Sequence, residues 1–186
     1  MGTLLYEAIT SLDGYIADPD GDFSWAVPDE QVHAYVNDIA RRQGTHLYGR
    51  RMYEMMRGWE TMHVDDEHPS LGREFAEIWR ATDKIVYSTA LESVSTERTT
   101  LERAFDPEAI RRLKQTTELD ISISGPTLAT DAFAAGLVDE VHLYLTPIVI
   151  GAGKKGLPEG VRFHLELIDE LRFDNGVVHL HYRTTG

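Results

Sequence analysis

Two short stretches bring together the residue types that grip an anionic ligand. They are Gly49-Arg50-Arg51-Met52-Tyr53-Glu54 and Ser124-Gly125-Pro126-Thr127-Leu128. In each, a glycine follows a run of β-forming residues and precedes a helical pattern. A helix starting there presents backbone N–H groups without partners and a partial positive charge, an arrangement that suits phosphate. Arg50 and Arg51 add fixed cations, and Thr127 adds a hydroxyl. Taken singly, either glycine is equally an ordinary strand-to-helix turn. Two such helix starts on one sheet edge suit a pyrophosphate lying between them.

Proton transfer is the second chemistry within reach. Trp25-Ala26-Val27-Pro28-Asp29-Glu30 places an acid, Glu30, at a helix start. A semi-buried carboxyl there can protonate a reacting group, but the helix dipole favours an acid at that position in any case. Asp13, in Asp13-Gly14, is a rival acid and also a routine turn former. The histidines raise the question of a metal. His63 and His68 flank Asp65-Asp66-Glu67, while His179 and His181 share one strand face. Ligands must converge from fixed elements, so the first group is expected to be a polar loop bordering the cleft. The second is expected to be a strand-surface pair, and no metal is expected. Gly151-Ala152-Gly153-Lys154-Lys155-Gly156 spells a dinucleotide fingerprint, yet Leu157-Pro158-Glu159-Gly160 forbids the helix that must follow it.

The composition narrows the setting. The chain has 186 residues, 42% of them hydrophobic, enough for a single domain spanning 1–186 with one core. Its net charge is -13, so no basic face offers itself to nucleic acid. With no cysteine there is no disulfide, thiolate metal site or catalytic thiol. No apolar run is long enough to cross a membrane, and the first residues lack a basic leader, so a cytoplasmic protein is expected.

The elements that must position these residues follow from pattern and punctuation. Strands are expected at 3–10, 45–48, 84–87, 120–124, 140–150, 161–173 and 177–183. Helices are expected from 28–30 to a Gly44 C-cap, over 50–57, from Ser70, over 108–115 and over 126–135. Met52, Met55, Met56 and Trp79 are assigned to packing, with Trp59 as packing or cleft wall. Asn175-Gly176 is a strong hairpin signal before the last strand. Strand–helix alternation followed by a hairpin implies an α/β fold with a mostly parallel sheet and an antiparallel edge.

Four motifs in fixed order carry a family resemblance. Besides the two glycine turns they are Ala8-Ile-Thr-Ser-Leu-Asp13-Gly14-Tyr-Ile16, and Gly136-Leu-Val-Asp139-Glu140 running into Leu145-Thr146-Pro147-Ile-Val-Ile-Gly151. Together they resemble the dihydrofolate reductase-like superfamily, most closely the branch of the reductase domain in bifunctional riboflavin-biosynthesis proteins. The resemblance implies a three-layer α/β/α fold with a C-terminal antiparallel hairpin. It implies NADPH-dependent hydride transfer to a small heterocyclic or carbonyl substrate, and a homodimer. Carried over by residue, it gives the cofactor Gly49, Arg50, Arg51, Gly125, Pro126, Thr127 and Leu128 at the pyrophosphate. Tyr87, Ser88 and Thr89 would face the adenosine 2′-phosphate, and Ala8 and Ile16 the nicotinamide. Glu30 would be the catalytic acid, supported by Thr146. Met52 departs from a usual threonine, and Ser124 from the first glycine of a Gly-Gly turn. True dihydrofolate reduction and a non-catalytic NADPH- or pterin-binding module are the alternatives; a metal-dependent hydrolase using the histidine-rich loop is a third.

Overall fold

Leu4-Leu5-Tyr6-Glu7-Ala8-Ile9-Thr10-Ser11 is apolar toward both sides, as a strand in the middle of a covered parallel sheet must be. The computed structural model describes residues 1–62 and 70–185, and in it this segment is β1 (Leu4–Ser11). β2 (Tyr15–Ala17) and a 3-10 turn at Ser24–Ala26 lead into α1 (Glu30–Ala40), and β3 (Gln43–Gly49) passes directly into α2 (Arg50–Met56). Then come α3 (Gly58–Thr61), α4 (Ser70–Ala81), β4 (Asp83–Tyr87), β5 (Thr99–Glu102) and α5 (Pro107–Thr116). The remainder is β6 (Asp120–Ser124), α6 (Pro126–Ala134), β7 (Glu140–Thr146), β8 (Lys154–Lys155), β9 (His164–Arg172) and β10 (Val178–Thr185).

Among the described residues, eight strands form one sheet in the order β5-β4-β3-β6-β1-β7-β10-β9. All neighbours are parallel until β10, which runs antiparallel to both β7 and β9. Gly176, with φ of 86°, makes the turn between the last two strands. A separate small ribbon pairs β2 with β8. Alternation sends Leu4 and Tyr6 to one side, where α5 and α6 cover them through Ile110, Leu128 and Phe133. Leu5 and Ile9 meet Val32 and Ile39 of α1 on the other side, and Tyr48 and Val86 meet Tyr53 and Trp79 of α2 and α4. The result is three layers, α/β/α.

Several expectations needed correction. Gly44 is not a C-cap: α1 ends at Ala40 with Arg41 capping it, and Gly44 lies inside β3. The strand expected over 140–150 stops at Thr146, where Pro147 removes the next ladder donor. Met55 is 47% exposed rather than packed. β5 and the β2–β8 ribbon are too short for periodicity to reveal. The stretch His63–Pro69, with its expected polar loop, lies outside the described residues.

Under α4 the sheet buries polar groups that bond one another, with the Nε2 of His46 left unpartnered. Trp79 Nε1 donates to Tyr48 Oη at 3.2 Å, and the Tyr48 hydroxyl meets His46 Nδ1 at 2.7 Å. Since Tyr48 accepts from Trp79, its own proton goes to His46. Lys84 Nζ donates to the Trp79 carbonyl at 3.0 Å and sits 4.1 Å from its ring centroid. Burial, then the Lys84 charge, pushes His46 from 6.5 down to about 3. The unfolded chain therefore binds a proton near pH 6.5 that the folded chain refuses until about 3. Stability tied to His46 is intact above pH 6.5 and declines below it, by up to about 1.4 kcal/mol per pH unit. Urea midpoints at pH 7, 6 and 5 measure this, and His46→Gln should flatten the slope by that amount.

Candidate functional site

The carboxyl ends of β4, β3 and β6 lie side by side, because their ladders pair Gly49 with Tyr87 and Tyr48 with Ser124, and β1, with Glu7 beside Ser124, runs on past them to Ser11. That edge is where open α/β sheets bind ligands. Gly125 has φ of 92°, a region that needs glycine, and it makes the Ser124-Gly125 turn alone. Gly49 has φ of -75° and ψ of 164°, which any residue adopts. A methyl group at Gly49 would meet only Leu128 at 3.9 Å, so the space before it stays open. No side chain caps the helix that follows either glycine. Both starts therefore leave backbone donors for an outside acceptor.

The predicted residues around these turns divide by accessibility. Thr127 is exposed, while Pro126 and Leu128 are buried and fix the start of α6. Met52 packs against the cluster of Tyr48, Tyr53, Trp79 and Val86 and borders Gly125. Arg50 is paired with Glu54 at 3.0 Å on the helix surface, a contact of small energy. Arg51 is exposed. The Lys154 ammonium is held below its ordinary value first by burial and then by the Arg51 charge. Ser88 is buried and its hydroxyl caps a turn, accepting from Ala90 and Leu91 N–H groups, while Thr89 is exposed. Arg103, which nothing in the sequence singled out, donates to the Ser88 carbonyl at 3.1 Å and also to that of Leu91.

A groove of about 570 Å³ runs between Pro126, Thr127 and Thr130 of α6 and Tyr15, Lys154 and Leu157 of the β2–β8 ribbon. Glycines fasten that ribbon, which holds Ile16. A methyl group on Gly156 would strike the Thr10 methyl at 2.5 Å, and one on Gly153 the Ala17 carbonyl oxygen at 2.0 Å. Buried Tyr6 donates its hydroxyl to the Gly156 carbonyl, and Gly156 N donates to the Gly14 carbonyl at 2.8 Å. The Gly151–Gly156 stretch is thus a packing device, without the helix that a dinucleotide fingerprint requires.

A second cavity of about 150 Å³ opens at the ends of β1 and β7, lined by Ile9, Trp25, Pro28, Val32, Thr146 and Asn175 among others. The indole N–H of Trp25 is buried with no partner. Thr146 lines this cavity, whereas Glu30 stands exposed at the start of α1, between lining residues Pro28 and Val32. The neighbouring Asp29 caps the helix by accepting from Val32 N at 3.0 Å. Asp13 accepts from the Gly151 and Ile150 N–H groups at 2.7 and 3.2 Å, joining the first motif to the last. The Ser11 hydroxyl, then those amides, hold its carboxyl below the usual range.

His179 is not at a strand surface. It is fully buried, with Nε2 3.0 Å from His142 Nδ1. His181 is partly exposed and bonds Glu140 at 2.8 Å. The sequence missed His142 because only the β7–β10 register places it opposite His181.

The ribbon supplies a test of this geometry. Gly153 has φ of 140° and no room for a methyl group. Gly153→Ala should lower stability by about 1–3 kcal/mol in urea unfolding. Gly49→Ala, with ordinary backbone angles and free space, should stay within about 0.5–1 kcal/mol of the parent.

The sequence and the fold both have relatives. Residues 3–179 match the family described as the RibD C-terminal domain. The uncharacterized protein YyaP of Bacillus subtilis (strain 168) is 25% identical over 185 residues, 98% of this chain and 95% of that protein. The crystal structure of a putative riboflavin biosynthesis protein from Shewanella sp. PV-4 superposes with a TM-score of 0.76 at 19% identity, covering 99% of each chain. A diaminohydroxyphosphoribosylaminopyrimidine deaminase/5-amino-6-(5-phosphoribosylamino)uracil reductase from Thermotoga maritima gives 0.69 at 14% identity. The match there covers 99% of this chain and 57% of the bifunctional one. With its motifs on the carboxyl edge of a dihydrofolate reductase-like sheet and its sequence matched almost end to end, this chain belongs to the RibD C-terminal domain family.

Proposed function

We propose that the chain is a cytoplasmic, NADPH-dependent reductase acting on a small heterocyclic or carbonyl substrate, of the aminopyrimidine or pterin kind. The observation that carries this reading is the uncapped pair of helix starts at Gly49 and Gly125, on adjacent strands, beside the cations Arg51 and Lys154. Such a donor set suits a pyrophosphate. NADPH, when bound, supplies the hydride. The backbone at Gly49, Arg50, Gly125 and Thr127 holds the pyrophosphate, and Thr89 with Arg103 meets the 2′-phosphate. Ala8 and Ile16 border the nicotinamide side. The cavity at Trp25 takes the reducible ring. Its unpartnered indole N–H and the Thr146 hydroxyl orient a carbonyl or ring nitrogen there. Glu30, on the rim, delivers the proton. The Asp13 carboxylate holds the loop after β7 against the end of β1 and so keeps the cavity wall in place.

Thermal shift with NADPH and NADH side by side tests the cofactor. NADPH at about 100 times its dissociation constant should add roughly 2.7 kcal/mol of stability. Arg51→Ala should weaken NADPH by about tenfold, the size of one lost charge-assisted phosphate contact. No shift with either nucleotide would sink the reading. Binding without turnover over a panel of pyrimidines, pterins and carbonyls would leave a binding module.

The reading includes a homodimer paired through β9. This edge strand leaves Leu167, Ile168 and Leu171 at 48%, 40% and 38% exposure, and an unpaired apolar edge invites a partner. Sedimentation of Leu167→Lys/Leu171→Lys should give a monomer where the parent gives a dimer. A parent that sediments as a monomer at micromolar concentration would refute the pairing.

A further inference from the structure

On the face of the sheet covered by α1, cross-strand partners bring two histidines and a carboxylate to one point, away from the strand ends where the proposed reaction takes place. His142 of β7 pairs directly with His181 of β10, and Glu140 lies two residues before His142 on the same face. One ligand atom from each of the three falls within 4.8 Å of the others. Glu140 Oε2 is 2.8 Å from His181 Nε2 and 3.8 Å from His142 Nε2.

His142 is the informative member. It is 2% exposed, and its Nε2 has no hydrogen-bond partner, since 3.8 Å from Glu140 is too far for one. Its other nitrogen is engaged by His179 Nε2 at 3.0 Å. In the tautomer in which His142 Nδ1 donates that hydrogen bond, the His142 Nε2 lone pair faces the Glu140 carboxylate. Two acceptors facing each other are unfavourable, and a cation between them satisfies both.

We propose that Glu140, His142 and His181 form a binding site for one divalent first-row transition-metal ion, of the zinc or cobalt kind. Two imidazoles and one carboxylate are a donor set for such ions rather than for magnesium or calcium. His179 is the outer partner that fixes the ring and tautomer of His142, as such partners do at metal sites. Tetrahedral ligands at about 2.0–2.1 Å from an ion stand roughly 3.3–3.4 Å apart, and the observed 2.8 and 3.8 Å bracket that spacing. The two rings are stacked with centroids 4.1 Å apart and planes 22° apart. Rotation of the partly exposed His181 ring about χ2, a broad torsion in histidine, opens the pair onto one point while His179 holds the His142 ring. Glu140 and His181 are 26% and 21% exposed, which leaves a path for the ion and a position for water.

The charged groups nearest this cluster are Asp169 on β9, toward His179, and Arg42 beyond α1, toward His142. The Asp139-Glu140 pair thus splits its work. Asp139 accepts from Leu4 N and pairs with Lys114, so it is structural. Glu140 is left for the histidines.

The full chain, stripped with a chelator and dialysed, is titrated with cobalt(II) and followed by visible ligand-field absorption, with thermal shift alongside. One equivalent should produce the absorption, zinc should bleach it, and zinc but not magnesium should raise the melting temperature. Glu140→Gln and His181→Asn, both at partly exposed positions, should each weaken cobalt by roughly tenfold or more. Circular dichroism confirms that the variants fold. His63→Ala/His68→Ala should still bind one equivalent. Absence of the cobalt absorption overturns the proposal, as does parental affinity in both site variants. Loss of binding in the His63/His68 variant overturns it as well, by moving the ion elsewhere. Nucleotide binding enters none of these readouts, so this site and the reductase reading stand or fall separately.

Discussion

The parallel ladder that joins β3, β6 and β1 is the constraint on which the rest depends. Backbone hydrogen bonds set Tyr48 beside Ser124 and Ser124 beside Glu7, so the turns after β3 and β6 emerge at one level and β1 runs on beyond them. A register slip of one residue would turn every side chain to the opposite face. It would send Leu5 into the layer of α5 and α6 and Tyr6 into that of α1, where neither fits, and carry Gly49 and Gly125 out of line. Burial on both faces of the sheet is what forbids the slip. The ligand edge is precise because the core beneath it admits one register.

Much of this was legible because strand–helix alternation and turn chemistry are local signals. The spans of β6, α2 and α6 follow from runs such as Asp120–Ser124 and from Gly125-Pro126, and Asn175-Gly176 marks its hairpin. What escaped depends on distant partners. Gly44 resembles a helix stop by sequence, yet Gln43 is already paired to Asp120 in the sheet. β5 is four residues long and gains its place only from β4. Arg103 reaches Ser88 and Leu91 across a loop. His142 carries no motif and becomes notable only when β10 sets His181 opposite it.

The glycines show how one residue type serves different ends. At Gly125 a backbone angle demands it, and at Gly153 and Gly156 the closeness of Ala17 and Thr10 does. At Gly49 the protein itself demands nothing: its angles are ordinary and the space is free. In the proposed reading its missing side chain leaves room for the phosphates beside the uncapped start of α2.

β1 occupies the centre of the sheet although it is made first. Its neighbours are β6 and β7, and Leu4 pairs with Ile121 while Leu5 pairs with Glu140. Contacts so distant in sequence make for slow closure, since chain entropy is lost before the pairing that offsets it forms. During synthesis the two sides of Leu4–Ser11 stay open until β6 and β7, more than about a hundred residues later, have been made. For that interval the chain carries an unpaired, apolar strand with two free edges, the sort of segment that associates with others of its kind. Its residues therefore answer to two demands at once, burial in the finished sheet and restraint in the unfinished one. Glu7, a carboxylate amid the apolar run and bonded to Gln43 once the sheet closes, is the residue in β1 that serves the second.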